Sequence, residues 1–208
     1  MTDPTTLYLL RHAEVATAYH RVFGGRIDMD LSPRGHEQAA ALAGYFHSRP
    51  WDALYTSPMR RVRQTLAPLA QVRTQAAAPV VLPGLREVDF GDWTGLGWEE
   101  VRTRFGVSPF QWLSLLEQSG IPNAEDAATF RARVEPCVRQ ILAAHPGQGV
   151  AVACHGGTIR MILSILLELP LAKTAGFEID YASLTVVAHA PAKTELQLLN
   201  FTPWRDLP

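Results

Sequence analysis

The sequence predicts an α/β fold, a three-layer α/β/α sandwich around a mostly parallel sheet, and three observations lead there. Short apolar runs bounded by turn residues recur along the chain. Most of them are followed by a helical segment rather than a tight turn. Only the last two lie close enough to pair as a hairpin. Alternating strands and helices call for crossovers, which make neighbouring strands parallel and put helices on both faces of the sheet. All of residues 1–208 read as one such domain, with a helical insertion at about 93–146 covering the C-terminal ends of the strands.

Leu7-Tyr8-Leu9-Leu10 is the first strand, and it ends on Arg11-His12. A buried strand ending in this way delivers a fixed cation and a titratable nucleophile to the sheet edge. His12 to Leu31 shows little periodicity and holds Gly24 and Gly25; a loop of this length in a compact domain is usually functional. Ser32-Pro33 then supplies N-cap and N1 for a helix with Leu42, Tyr45 and Phe46 on its apolar stripe. Asp52 to Thr56 is a second strand, and Ser57-Pro58 reads as another N-cap and N1, opening a helix to about Ala70 that begins with Arg60, Arg61 and Arg63. The connector Ala76-Ala77-Ala78 is expected to be mobile, and Val80-Val81-Leu82 forms a third strand leading to Leu85-Arg86-Glu87. Trp93 to Pro146 breaks the alternation, with helical pieces and no clear strand. Val150 to Ala153 is a fourth strand, running into His155-Gly156-Gly157, and Leu184 to His189 pairs with Glu195 to Phe201.

Composition narrows the function classes. With 208 residues, 19% charged, 47% apolar and a formal net charge of −1, the chain has no basic surface suited to nucleic acid and no polybasic membrane anchor. Lys173 and Lys193 are the only lysines, so nearly all cations are arginines. Cys137 and Cys154 make neither a disulfide framework nor a zinc motif, and Met1 is followed by Thr, Asp, Pro and Thr rather than a leader, which points to the cytoplasm. The apolar run Met161 to Leu171 contains Glu168 and Pro170 and is too short to span a bilayer. Arg160 to Leu169 and the terminal hairpin could serve a homodimer contact, and burial within one chain explains them equally.

Four strand ends carry groups suited to a phosphoryl dianion: Arg11 with His12, the Arg60-Arg61-Arg63 cluster, Glu87, and His155 with Gly156 and Gly157. Parallel strands share one C-terminal edge, so these groups would converge. Phosphoryl transfer needs cations and oriented N–H donors around the equatorial oxygens, an in-line nucleophile and an acid for the leaving oxygen, and each has a candidate here.

These residues resemble the histidine phosphatase superfamily, also called phosphoglycerate mutase-like. Five motifs in order carry the resemblance: Leu10-Arg11-His12; Asp28-x-x-Leu31-Ser32-x-x-Gly35; Ser57-x-x-x-Arg61-x-x-Gln64-Thr65; Leu85-x-Glu87-x-x-x-Gly91-x-Trp93-x-Gly95; and Cys154-His155-Gly156-Gly157-x-Ile159-Arg160. The resemblance implies that His12 attacks phosphorus and becomes a phosphohistidine, that Arg11, Arg61 and His155 hold the oxygens, and that Glu87 protonates the leaving alcohol. Gly156, Gly24 and Gly25 join Arg11, Arg61 and His155 as expected substrate contacts. No metal and no cofactor are expected, and the expected partner is a small-molecule phosphate monoester. Counting back from Gln64-Thr65 selects Arg61 over Arg60 and Arg63. Two positions depart from the family pattern: Ala13 stands where glycine is commonest, and Ala18 where many members carry a phosphate-touching asparagine.

Rival readings predict different chemistry. Cys154 and Arg160 have the spacing of a cysteine-dependent phosphatase loop. A non-catalytic phospho-ligand module would keep the pocket without turnover. A mutase would need extra cations to grip a carboxylate, but Phe105 to Phe130 contains no Lys or Arg and holds Glu117, Glu125 and Asp126, which favours hydrolysis. Among family members the chain resembles the broad-specificity and α-ribazole-phosphate phosphatases. Glu14, His20, Arg21 and Arg26 read as solvated loop charges by default, and Trp93, Trp98, Phe105, Phe110 and Trp112 either pack helices or cover an aromatic ligand.

Overall fold

The computed structural model describes residues 3–49, 51–72 and 78–207. In chain order its strands are β1 (Thr5–Arg11), β2 (Ala53–Thr56), β3 (Val80–Val81), β4 (Gly149–Cys154), β5 (Leu184–Ala190) and β6 (Lys193–Phe201). They form one sheet in the order β3-β2-β4-β1-β5-β6. The first four of these pair in parallel, and β5 and β6 are antiparallel additions on one side. The helices are α1 (Pro33–Phe46), α2 (Arg60–Val72), α3 (Trp98–Phe105), α4 (Trp112–Glu117), α5 (Ala127–Ala144), α6 (Gly156–Leu166) and α7 (Pro203–Asp206). No described helix is long and apolar enough to cross a membrane.

Each face of the sheet has its own core. Leu7, Leu9, Val150 and Val152 face α5 and α6, packing with Phe130, Val134, Ile141, Ile159 and Ile162. Leu10, Ala151, Ala153 and Val186 face α1 and α2, packing with Leu42, Phe46, Val62 and Leu66. Period-2 alternation along buried strands produces this split, and it requires β4 to be apolar on both sides. Met161, Ile162, Leu163 and Leu166 of α6 are all buried within this chain.

Register places the site. Arg11 lies opposite Cys154, and Thr56 opposite Ala153. The following residues therefore leave the sheet at one level, with His12 N–H donating to Cys154 O at 3.1 Å and Ser57 N–H to Ala153 O at 2.9 Å.

Three features differ from the sequence reading. Ser57-Pro58 does not cap α2, which begins at Arg60; its first N–H is taken instead by Asp28 Oδ1 at 2.7 Å, a cap supplied from a distant loop. Within 93–146, α5 belongs to the helical layer on the sheet, because its apolar face joins the core with α6, while α3 and α4 lie over the cavity described below. Pro68 and Pro136 sit inside α2 and α5, where loss of one backbone donor is outweighed by burial of the helix face. Ala76 and Ala77 of the expected mobile connector lie outside the described residues.

Candidate active site

His12, Arg61 and His155 meet at the shared strand edge. The two imidazole centroids are 5.2 Å apart, and Arg61 Nε lies 3.2 Å from both His12 Nε2 and His155 Nδ1. An arginine N–H can only donate, so both ring nitrogens facing it carry lone pairs. The other nitrogens complete the assignment. His12 Nδ1 donates to Ala13 O at 2.8 Å, and His155 Nε2 donates to Ser57 Oγ at 2.8 Å. Both rings are thus neutral, with defined and opposite tautomers. Burial holds each imidazole well below its ordinary range, and the Arg61 and Arg11 charges push in the same direction.

Arg61 is only 2% exposed and has no carboxylate ion-pair partner among the described residues. Its Nη1 and Nη2 donate to Ile27 O at 2.8 Å and Gly25 O at 3.0 Å, which leaves Nε for the histidines. Gly25 adopts φ +46°, a conformation that glycine allows at little cost, and so turns its carbonyl toward the guanidinium. Arg11 lies 4.1 Å above the Tyr181 ring and donates through Nη1 to Ile179 O at 2.5 Å. Its Nε is buried without a partner. A third guanidinium, Arg160, reaches the same place: a Cβ on Gly156 would stand 3.4 Å from both Arg11 Nε and Arg160 Nη1. Burial and the neighbouring Arg11 charge lower Arg160 to about 10. A buried cluster of cations facing one cavity is costly without an anion, because desolvation penalises each charge.

Glu87 closes the cluster on the other side. Its Oε2 accepts from the Gly157 N–H at 3.2 Å, in the first turn of α6, and its Oε1 from its neighbour Val88 N–H at 3.1 Å. A Cβ on Gly157 would stand 2.5 Å from Glu87 Oε1 and 3.1 Å from Trp112 Cη2. Of the two glycines it is therefore Gly157 whose bare backbone the arrangement uses. The segment carrying Glu87 is gripped from α5: Arg133 donates to Gly84 O and Arg86 O, both at 2.7 Å, to Glu87 O at 3.0 Å, and to Glu125. Sequence reasoning missed Arg133, Tyr181 and Ser57. No motif marks Arg133 or Tyr181, and Ser57 carried a stronger helix-cap signal.

Arg11, His12, Arg61, Glu87, Gly24, Gly25, Gly156, Gly157, Arg160 and Tyr181 line a cavity of ≈ 320 Å³. Tyr19, Phe90, Trp98 and Trp112 form part of its wall, whereas Trp93 is a core residue, 1% exposed, packed on Phe23 and Phe105. Arg63 is exposed. Arg60 pairs with Asp28 and Asp30. Of the loop charges, Glu14 accepts from Ser32 Oγ, His20 Nε2 donates to Val15 O and Arg26 pairs with Asp89, and none of these lines the cavity. Ala13 is fully buried and does not adopt positive φ, so its side chain is accommodated where glycine is commonest. Cys154 is buried in the α5/α6 core with its thiol pushed up strongly by desolvation, which disarms it as a nucleophile.

A family model for the histidine phosphatase superfamily (branch 1) matches residues 7–202. The chain belongs to that superfamily. A Hydrogenobacter thermophilus protein provisionally named phosphoserine phosphatase 2 is 32% identical over 196 residues, covering 93% of this chain and 94% of its own. The adenosylcobalamin/alpha-ribazole phosphatase of Salmonella typhimurium is 24% identical over 194 residues, 93% of this chain and 95% of that one. Among solved structures, mycobacterial glucosyl-3-phosphoglycerate phosphatase superposes with a TM-score of 0.81 at 25% identity, covering 94% of this chain and 98% of the other. This histidine phosphatase thus shares more than nine-tenths of its length with proteins named as phosphatases of different small metabolites.

Proposed function

We propose that the protein is a phosphomonoesterase that hydrolyses a small phosphorylated metabolite through a phosphohistidine on His12. One observation carries the reading: the neutral His12 imidazole and three guanidiniums face one cavity, with His155 behind Arg61, and the Arg11 Nε–H is buried with nothing to bond. An oxyanion supplies the missing acceptor and the missing negative charge. His12 Nε2 attacks phosphorus, and the bond to the ester oxygen breaks as Glu87 donates a proton to it. The Glu87 carboxylate then takes a proton from water, which attacks the phosphohistidine and releases inorganic phosphate with His12 free again. The Nδ1–H bond to Ala13 O fixes the ring so that Nε2 is the free lone pair. Arg11 and Arg61 hold the phosphoryl oxygens and Arg160 adds positive charge beside Arg11; His155, with its N–H given to Ser57 Oγ and its lone pair to Arg61 Nε, orients Arg61 instead of touching an oxygen itself. No step uses a metal, and the nitrogen-rich donor set with its single carboxylate is poorly suited to a hard cation. The relatives' names support hydrolysis of a metabolite ester.

The decisive experiment is phosphate release from a panel of monoesters by wild type and His12→Ala. The expected outcome is loss of turnover and of acid-labile ³²P label in the variant; persistent labelling overturns the nucleophile. Glu87→Gln should slow alkyl phosphates far more than p-nitrophenyl phosphate, whose leaving group needs little protonation. Equal losses overturn the acid assignment.

A further inference from the structure

The cavity has two chemically different ends. Its charged groups, Arg11, Arg61, Arg160 and Glu87, cluster around Gly156 and Gly157, where the phosphoryl group is placed. Away from them the wall is largely apolar and includes Tyr19, Val22, Phe23, Phe90, Trp98 and Trp112. Resting on the phosphatase reading above, we infer that the alcohol of the natural ester is an uncharged, ring-bearing group seated against Trp98 and Trp112, and that esters carrying a carboxylate are poor substrates.

Three lines of geometry lead to this. The first is where the alcohol must leave: a Cβ on Gly157 would touch both Glu87 Oε1 and Trp112 Cη2, so the carboxyl and the indole edge are neighbours and an oxygen protonated by Glu87 departs beside the indole. The second is that no cation is left over for a carboxylate at that end. Arg11, Arg61 and Arg160 are the cations that line the cavity, all three belong to the phosphoryl end, and the aromatic end has no Lys or Arg among its lining residues. A carboxylate pressed on the aromatic wall would lose its hydration with nothing in return. The third is that the wall is built in advance. Trp98 N–H donates to Arg21 O at 2.9 Å, Phe23 N–H to Leu96 O at 3.0 Å and Gly95 N–H to Phe23 O at 2.9 Å, locking the 21–23 loop to the start of α3. Trp112 stands edge-on to Phe90 at 5.3 Å, and Trp98 to Phe110 at 5.0 Å. Phe110 itself is 70% exposed, extending the aromatic surface outward from Trp98. At ≈ 320 Å³ the cavity lies at the small end of ligand sites, room for one phosphate and one compact ring system.

The test compares alkyl esters, so that leaving-group chemistry stays similar: 2-phenylethyl phosphate, n-propyl phosphate and O-phosphoserine. The wild-type kcat/KM for 2-phenylethyl phosphate should exceed that for n-propyl phosphate by about tenfold or more, with O-phosphoserine the slowest, and Trp98→Ala or Trp112→Ala should reduce the phenylethyl-to-propyl ratio by about tenfold. Trp98→Phe should keep most of that ratio. O-phosphoserine turned over as well as the phenylethyl ester, or a ratio unchanged in both alanine variants, overturns the inference. Binding of 2-phenylethyl- and n-propylphosphonate measures the same preference without chemistry. Absence of phosphate release from every ester therefore overturns the phosphatase reading, while equal phosphonate affinities overturn the aromatic assignment.

Discussion

His12 and His155 are a matched pair with opposite tautomers, and one N–H of Arg61 sets both. Being buried beside cations, they remain neutral at a pH where a solvated imidazole is half protonated. Nitrogen-15 NMR should show the His12 proton on Nδ1 and the His155 proton on Nε2, with neither ring titrating as pH falls through 6.5. Titration of both near that value would remove the preformed nucleophile. The same shifts fix the sign of a stability effect. Unfolded imidazoles take up protons near 6.5 and the folded ones only well below it, so the contribution is complete above pH 6.5 and declines as pH falls from there toward the folded values. These tautomers were not legible in the sequence, because each depends on an acceptor that the fold brings in: Ala13 O from the local backbone and Ser57 Oγ from the end of β2, the strand paired with β4.

Among the elements, α5 is the clearest case of a distant segment serving the site. Arg133 holds the carbonyls of 84, 86 and 87 with a planar fork that a lysine cannot reproduce. It acts through Glu87 as a positioning residue. Arg133→Ala and Arg133→Lys should both lower kcat for alkyl phosphates by about tenfold to a hundredfold while affecting p-nitrophenyl phosphate much less, since misplacement of the acid matters only when the leaving group needs its proton. An equal loss on both substrates would mean that Arg133 merely supports the fold. Helix and strand placement came through well from pattern alone, as with Ser32-Pro33, where Ser32 Oγ accepts from Gly35 N–H at 2.9 Å. The start of α2 did not, because two candidate oxygens competed for it: Asp28 from a loop won the N–H, and Ser57 was taken by His155.

For the whole molecule, the site is where the ends of β1, β2 and β4 and the segment after β3 converge, so an anion bound there ties together pieces far apart in the chain. Inorganic phosphate or vanadate should raise Tm, by an amount equivalent to about 2.7 kcal/mol at a concentration one hundred times Kd. Arg11→Ala should abolish that shift while leaving a folded protein. A shift of equal size in the variant would place the anion elsewhere.

The sequence by itself determined the strand ends and the start of α1, because hydrophobic periodicity and turn chemistry are local, and it singled out His12, Arg61, Glu87 and His155 as candidates, because their motifs are contiguous. Only the tertiary structure decided which nitrogen of each histidine is free, which tryptophans face the cavity and which residue steadies Glu87. Those choices rest on hydrogen bonds and packing between segments tens of residues apart, and such contacts acquire an energy only once the sheet register has brought them within reach.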